Sequence, residues 1–415
     1  MNRLFRGRQS WWVLAAGTLA VFGALGLARF GYSVVLPAMQ GGLSLDNTRA
    51  GMLATVNLAG YLVLAALGGA LAARFGPRIV VACGLSVAGA GMLLTGTADG
   101  FLPAAAWRCL TGIGSGAANI AVMGMWATWF SSRRRGLASG VAVTGSSLGL
   151  IFAGPLAPRI IAAYGAEGWR VCWYLFGGTT LLIGAVAWLV IRNRPHDPAV
   201  DLSSPYAGDS RPDLRPAPLA WGRVYRSAPV WHLGLVYVAN GFSYIIYMTF
   251  FVKHLVTTGG YTRGAAGGLF MTMGWVSLLC GILWGHVSDR IGRRATLVIV
   301  FLIHTAAFAL FALWPDPAGF TLSAVLFGLT AWSIPAIMAA TCGDVLGSRL
   351  APAALGFVTL FFGVGQALAP GIAGAIADAA GSFAPAFLLA AGVALAGALG
   401  AAFLHPVAMT EQAGE

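Results

Sequence analysis

Gly285-His286-Val287-Ser288-Asp289-Arg290-Ile291-Gly292-Arg293-Arg294 is a short charged turn set between two long apolar runs. It reads G-x-x-x-D-R-x-G-R-R. Gly285 lets helices approach and Gly292 lets the chain reverse, while Arg293 and Arg294 fall where a membrane surface would lie. Asp289 is placed to pair with an arginine and to accept hydrogen bonds at the start of the next helix. A worn copy stands 216 residues earlier, Gly69-Ala70-Leu71-Ala72-Ala73-Arg74-Phe75-Gly76-Pro77-Arg78, with Ala73 in place of the aspartate. The same offset pairs Gly112 with Gly328, Gly149 with Gly365 and Gly165 with Gly381. A constant offset over so long a stretch argues for two homologous halves.

The 415 residues are 58% hydrophobic and only 9% charged, too apolar for a soluble protein and too evenly so for one with a single anchor. Lysine plus arginine exceeds aspartate plus glutamate by 25 to 13. Such a balance also suits nucleic-acid binding, but the cations sit in short loops between apolar runs, so membrane topology explains them. Cys83, Cys109, Cys172, Cys280 and Cys342 fall inside apolar runs without CxxC spacing and read as small core residues. Arg3, Arg6 and Arg8 precede an apolar stretch that resembles a signal peptide, but it runs on to about Pro37, too long for one.

At ~20 apolar residues per span, the sequence predicts an all-α membrane protein of twelve transmembrane helices. They lie at about 12–38, 50–73, 78–98, 102–129, 136–158, 168–191, 229–256, 264–287, 295–314, 318–341, 353–377 and 382–404. The gaps are short, so neighbouring helices are antiparallel. Eighteen loop cations fall on the N-terminal side (Arg3 to Arg8, Arg74, Arg78, Arg133–Arg135, Arg192 to Arg226, Arg290 to Arg294 and Arg349). Five fall opposite: Arg49, Arg159, Arg170, Lys253 and Arg263. That bias places both termini in the cytoplasm. Residues 193–228, with six prolines and four aspartates, read as a cytoplasmic linker with a short surface helix near Leu219–Tyr225. The expected division is therefore a six-helix bundle over 1–192, a linker over 193–228 and a second six-helix bundle over 229–415.

Twelve helices, two halves, a middle linker and the 285–294 motif resemble the major facilitator superfamily. Arg108-x-x-x-Gly112-x-Gly114 is similar to that family's RxxxGxG pattern. Gly140 through Gly149 to Gly154-Pro155 resembles its antiporter pattern, although Ala157 and Pro158 stand where the last glycine pair is expected. Within the superfamily, Ala28-Arg29-Phe30-Gly31-Tyr32 leading to Leu36-Pro37-Ala38-Met39 resembles the bacterial YbfB/YjiJ-type transporters. Gly241-Phe242-Ser243-Tyr244-Ile245-Ile246-Tyr247 and Gly363-Val364-Gly365-Gln366 point the same way, with monocarboxylate and oxalate/formate-type transporters as cousins by pattern. The resemblance implies a bacterial inner-membrane monomer that works by alternating access. It also implies a conformational switch at Gly285, Asp289, Arg290, Gly292 and Arg293, echoed by Arg74 and Arg78. Ala73 predicts a looser first lock.

Ionisable residues deep in a membrane bundle are costly, which makes each a candidate for function. Arg29 falls past the middle of the first span, with Tyr32 and Ser33 one turn on. Arg108 leads a polar stripe on the fourth span through Thr111, Ser115 and Asn119. Asn240, Tyr244 and Tyr247 form another at i, i+4, i+7. Asn57 with Tyr61, and Thr359 with Gln366, complete the set. No Asp or Glu lies inside any predicted span; Asp344 and Asp378 are at ends. An unmatched buried guanidinium is expensive, so the simplest compensation is a negatively charged cargo. The expected function is secondary transport of a small organic anion, a carboxylate by preference. Two readings of Arg29 stand, an anion ligand or a structural cation held by carbonyls and tyrosines. Arg108 is either part of the site or a packing residue. His304 is a candidate proton carrier or a hydrogen-bonded packing residue.

No GxxxxGK[ST] cradle for ATP is present, nor HExxH or GxSxG in a supported context. Neither cofactor nor metal is expected, and no enzymatic activity. A proton on the cargo or on His304, or exchange against a counter-anion, would drive transport. Efflux of drugs or metabolites, and a transport-inactive sensor or assembly protein, are the rival readings.

Overall fold

In a bilayer the backbone amides of a spanning segment must find partners within that segment, and the apolar runs of this chain accordingly form helices. The computed structural model describes residues 2–130, 132–193 and 221–404, and within them no strand forms. The expected linker lies mostly outside the described residues.

The helices are α1 (Asn2–Val21), running through a π-helical segment (Phe22–Phe30) into α2 (Gly31–Gly42), then α3 (Asn47–Phe75), α4 (Pro77–Gly96) and α5 (Phe101–Trp129). After them come α6 (Ser132–Tyr164), α7 (Gly168–Val190), the short α8 (Trp221–Tyr225) and α9 (Ala228–Thr257). The chain closes with α10 (Arg263–Ser277), α11 (Cys280–Ile291), α12 (Arg293–Leu313), α13 (Pro317–Thr330), α14 (Ser333–Ala380) and α15 (Ala384–Ala402). Among the described residues, eight stretches are long and apolar enough to cross a membrane, or nine with α3 counted as one bent span. One of them, Arg134–Val190, holds two of the predicted spans. The predicted span 264–287 is broken at Leu278 and Leu279, which leaves α10 only 15 residues long. The predicted spans 318–341 and 353–377 are redistributed. A break at Ala331–Trp332 ends α13, and α14 runs on through Gly347, whose φ of 75° is non-helical.

The internal repeat read from the sequence is physical. Gly76 and Gly292 take φ values of 87° and 89°, a region open to glycine alone at low cost, and each ends one helix and begins the next. Asp46 and Thr262, also 216 apart, are both N-caps whose side chains accept from the amide three residues on. Contacts repeat as well. A β-carbon at Gly112 would lie 1.9 Å from the Asn57 carbonyl oxygen, and one at Gly328 would lie 3.0 Å from that of Met273, the residue 216 after Asn57. Gly149 abuts Gly26, and Gly365 abuts Phe242, again at the same offset. Small residues set these helix crossings because lipid tails give helices no hydrophobic reason to associate.

The repeats meet mainly along α3 with α14 and α6 with α10. At one end, the Asp378 carboxylate from α14 accepts the backbone amides of Asn47 (3.0 Å) and Thr48 (2.8 Å) and the Thr48 hydroxyl (2.6 Å). A carboxylate of the second repeat thus caps a helix of the first. On the same side, Gly154 and Gly267 let α6 and α10 touch backbone to backbone. Midway, Ser147 Oγ of α6 accepts from the Ser277 hydroxyl (2.8 Å) and from the Trp332 indole (2.9 Å), at the two helix breaks of the second repeat. Toward the other end, Gly69 and Gly285 face open space.

These crossings set a graded expectation. Gly112→Ala should destabilise the protein by about 2–3 kcal/mol, because its methyl meets backbone that cannot yield. Gly328→Ala, with more room, should cost under about 1 kcal/mol. Denaturation of the purified protein in detergent checks the order.

Candidate functional site

The π-helical segment carries Ala28, Arg29 and Phe30, and such wide turns expose backbone that an α-helix would close. The Ala28 carbonyl accepts Arg108 Nη1 of α5 at 2.8 Å. Arg108 is 1% exposed. Its guanidinium lies between two aromatic faces, 4.8 Å from the Tyr32 ring centre and 4.9 Å from that of Trp173. Two π-faces and a carbonyl therefore share a charge that no described carboxylate meets. Arg29 stacks on Tyr61 at 4.3 Å, and its buried Nη2 finds no hydrogen-bond partner among the described residues.

Around these two cations is one pocket, lined by Arg29, Tyr32, Asn57 and Arg108 of the predicted set. It is narrow, with room for about one water molecule. The Asn57 amide donates to the Arg108 carbonyl (2.9 Å), and the Tyr32 hydroxyl donates to the Ala50 carbonyl (2.7 Å). These bonds fix α3 against α5 and α2 against α3.

Other predicted residues form a second tier. Tyr61, beneath Arg29, accepts the Asn119 amide at 2.8 Å. Gln366 of α14 donates to the Tyr244 hydroxyl of α9, and Arg29 acts electrostatically on that hydroxyl. Ser33, Ser115 and Asn240 are buried, and the Ser33 and Ser115 hydroxyls have no partner among the described residues. None of these seven residues lines the pocket itself.

Tyr247 stands elsewhere. Expected on one stripe with Tyr244, it instead shares a hydrogen bond with Ser323 (2.7 Å) amid Phe251, Phe308, Phe311 and Phe327. Helix α9 is enclosed on several sides, so its neighbours at Tyr247 differ from those at Asn240 and Tyr244. His304 also lies apart from the pocket, fully buried against the rings of Phe308 and Phe327. The sequence reading passed over Trp173, Phe30, Ile245, Met248 and Thr249. Ile245 and Met248 were findable as the i, i+3 flank of Tyr244; Trp173 carries no signal in its apolar run.

The charged turn forms a separate cluster. Arg293 reaches Asp289 (2.5 Å), Asp344 of α14 (3.1 Å) and the Ser288 hydroxyl (2.9 Å). Gly285 and Arg290 are not part of that contact. In the first repeat, where Ala73 replaces the aspartate, Arg78 lies over Trp188 (4.3 Å) and donates to its carbonyl (2.7 Å). Arg74 lies over the Phe75 ring.

Comparison with known proteins agrees with this architecture. A family profile described as "Uncharacterised MFS-type transporter YbfB" matches residues 21–401. A probable sulfoacetate transporter of Cupriavidus necator is 25% identical over 416 residues, covering 93% of each chain. The hexuronate transporter of Bacillus subtilis is 24% identical, covering 92% of each. The oxalate:formate antiporter of Oxalobacter formigenes is 27% identical over 70% of this chain and 66% of its own. Among solved structures, a bacterial homolog of the human lysosomal transporter Spinster, inward-facing and unoccupied, superimposes with a TM-score of 0.73. It covers 95% of both chains at 16% identity, which speaks for the fold alone.

The cage around Arg108 makes its planarity matter. Arg108→Lys should lower stability by about 1–2 kcal/mol, since an ammonium cannot fill the gap between two rings. Arg29→Lys, stacked on one ring, should change it by less than about 1 kcal/mol. Melting of both variants in detergent tests the contrast.

Proposed function

This chain belongs to the YbfB-type family of major facilitator transporters, and from that premise we propose that it carries small organic anions, carboxylates foremost, by alternating access. The observation that carries the reading is the pair Arg29 and Arg108 in one pocket, with no acidic residue among those that line it. A guanidinium away from water is stable only with a partner, and a cargo carboxylate supplies one. The relatives named as sulfoacetate, hexuronate and oxalate:formate transporters take their names from anions, which supports the reading.

In this reading Arg29 is the first ligand, through its unfilled Nη2. Tyr32, Asn57 and Arg108 complete the pocket, while Tyr61, Asn119, Tyr244 and Gln366 hold Arg29 in place. Ser33, Ser115 and Asn240 come into reach only as the repeats rock. The units that rock are residues 1–192 and 229–415, joined by 193–228. The protein works as a monomer in the bacterial inner membrane with both termini cytoplasmic. The Asp378 end then faces outward and is closed, and the Gly69 and Gly285 end faces the cytoplasm. Arg293 with Asp289 and Asp344 is the cytoplasmic switch, since it ties the turn after α11 to α14. No chemistry on the cargo is proposed. The coupling charge travels with it as a proton, or returns as a counter-anion. His304, sealed behind Phe308 and Phe327, takes no part in that path.

Two variants separate these roles. Arg29→Ala should lose anion uptake into proteoliposomes almost completely while inserting normally; retained uptake rejects the site. Asp289→Asn should slow turnover several-fold with the half-saturating concentration nearly kept. Exposed ion pairs of this sort are worth only about 0.2–1 kcal/mol, so its melting point should barely move.

A further inference from the structure

Trp332 has no counterpart in the first repeat. The residue 216 earlier is Gly116, on an unbroken α5, where a β-carbon would lie 2.4 Å from the Tyr61 carbonyl oxygen. In the second repeat the same place is a helix break, and the indole reaches across to the first repeat. It donates to Ser147 Oγ of α6 (2.9 Å), and its ring packs on that of Phe30, centre to centre 5.3 Å. Phe30 lines the pocket and directly follows Arg29 on the π-helical segment.

The stretch of helix that starts beside Trp332 ends at the charged turn. Ser333 opens α14, which stays helical as far as Gly347, and Asp344 on it accepts Arg293 Nε at 3.1 Å. Asp344 stands twelve residues beyond Trp332, about 18 Å along a helix. Helix α11 packs on α14 and is tied to this stretch at both ends. Its first residue, Cys280, accepts the Trp332 amide on Sγ (3.4 Å); near its last, Asp289 holds the same Arg293 that Asp344 holds. Both stretches begin at a break, and Ser147 is bonded beside each, to Ser277 and to Trp332. Two rods joined top and bottom, with soft joints above and Gly347 below, swing as one body, and packed side chains pass that swing on.

Resting on the site and switch roles proposed above, we infer that α11 and residues 333–346 form a lever pivoting at Ser147. Through it the Arg293 switch sets Phe30, and with it Arg29, by way of Trp332. Making or breaking the Arg293–Asp344 pair tilts the lever, and the indole moves Phe30. Trp332 is thus a positioning residue that does not itself line the pocket. The first repeat, with Gly116 and Thr128 at the matching places, has no such lever.

Fluorine NMR of the purified full chain in detergent, with 5-fluorotryptophan at all 14 tryptophans, tests this without any cargo. Trp332→Phe, Trp284→Phe and Trp188→Phe assign those signals by loss. Sites this far apart are ordinarily independent. Here Asp344→Asn and Arg293→Gln should each shift or split the Trp332 signal and leave Trp188, beside Arg78 in the first repeat, in place. Asp99→Asn, which removes one partner of Arg170, should leave Trp332 unmoved. In the opposite direction, Phe30→Leu should shift Trp284, whose indole on α11 donates to the Leu329 carbonyl. Measured against Trp332→Leu alone, that shift should vanish; against Trp332→Phe, which keeps a ring on Phe30, part of it should remain. A Trp332 signal that neither Asp344→Asn nor Arg293→Gln moves overturns the lever, as does a Trp284 shift that survives Trp332→Leu. Either failure leaves the anion reading standing, since that reading falls only if Arg29→Ala keeps its uptake.

Discussion

A guanidinium in an apolar bundle must be matched, and the centre of this molecule is arranged around matching two of them without acid. Arg108 is answered by flat aromatic faces and one carbonyl. That answer dictates much else: a π-helical segment to free the Ala28 carbonyl, a tryptophan on α7, and a tyrosine on α2 whose own hydroxyl must then find α3. Arg29 is answered by the Tyr61 ring and the Tyr244 hydroxyl. Each arginine keeps one buried nitrogen without a hydrogen-bond partner among the described residues, Nη2 of Arg29 and Nε of Arg108.

The repeat was legible because backbone demands leave marks in sequence. A left-handed turn requires glycine, and a backbone contact between helices requires glycine too, so Gly76 with Gly292 and Gly112 with Gly328 stand out at a fixed offset. The arginines were legible because buried charge is rare. What stands opposite a side chain was not. Helical spacing gives the face of a helix, but not which neighbour that face meets. Tyr247 and His304 thus went to an aromatic cluster, whereas Met248, ordinary in an apolar run, came to the pocket and Trp173 to the face of Arg108. The breaks at Leu278–Leu279 and Ala331–Trp332 were hidden for a related reason. No proline marks the broken residues, and side-chain bonds from Ser147 and Cys280 stand at the gaps.

Divergence between the repeats follows the same physics. The second keeps an aspartate in its charged turn and ties Arg293 to two carboxylates. The first lost it at Ala73, and Arg78 turned to an indole and a carbonyl instead. Both solutions satisfy a cation at a helix start. Each also ties that helix to one distant in sequence, α12 to α14 through Asp344 and α4 to α7 through Trp188, but only the second repeat does so with an ion pair.

Asp378 gives the closed end an unusual property. Its carboxylate accepts two first-turn amides of α3 beside the N-cap Asp46, so parting the repeats there strips those amides of their acceptor rather than merely separating two surfaces. Water must replace three hydrogen bonds in one step. In the transport reading proposed above, the cargo beside Arg29 shares no atom with this contact, so the same toll falls on a loaded and an unloaded carrier. The door in that reading is a metronome, timing outbound and return strokes alike, and leaves discrimination to the chamber within.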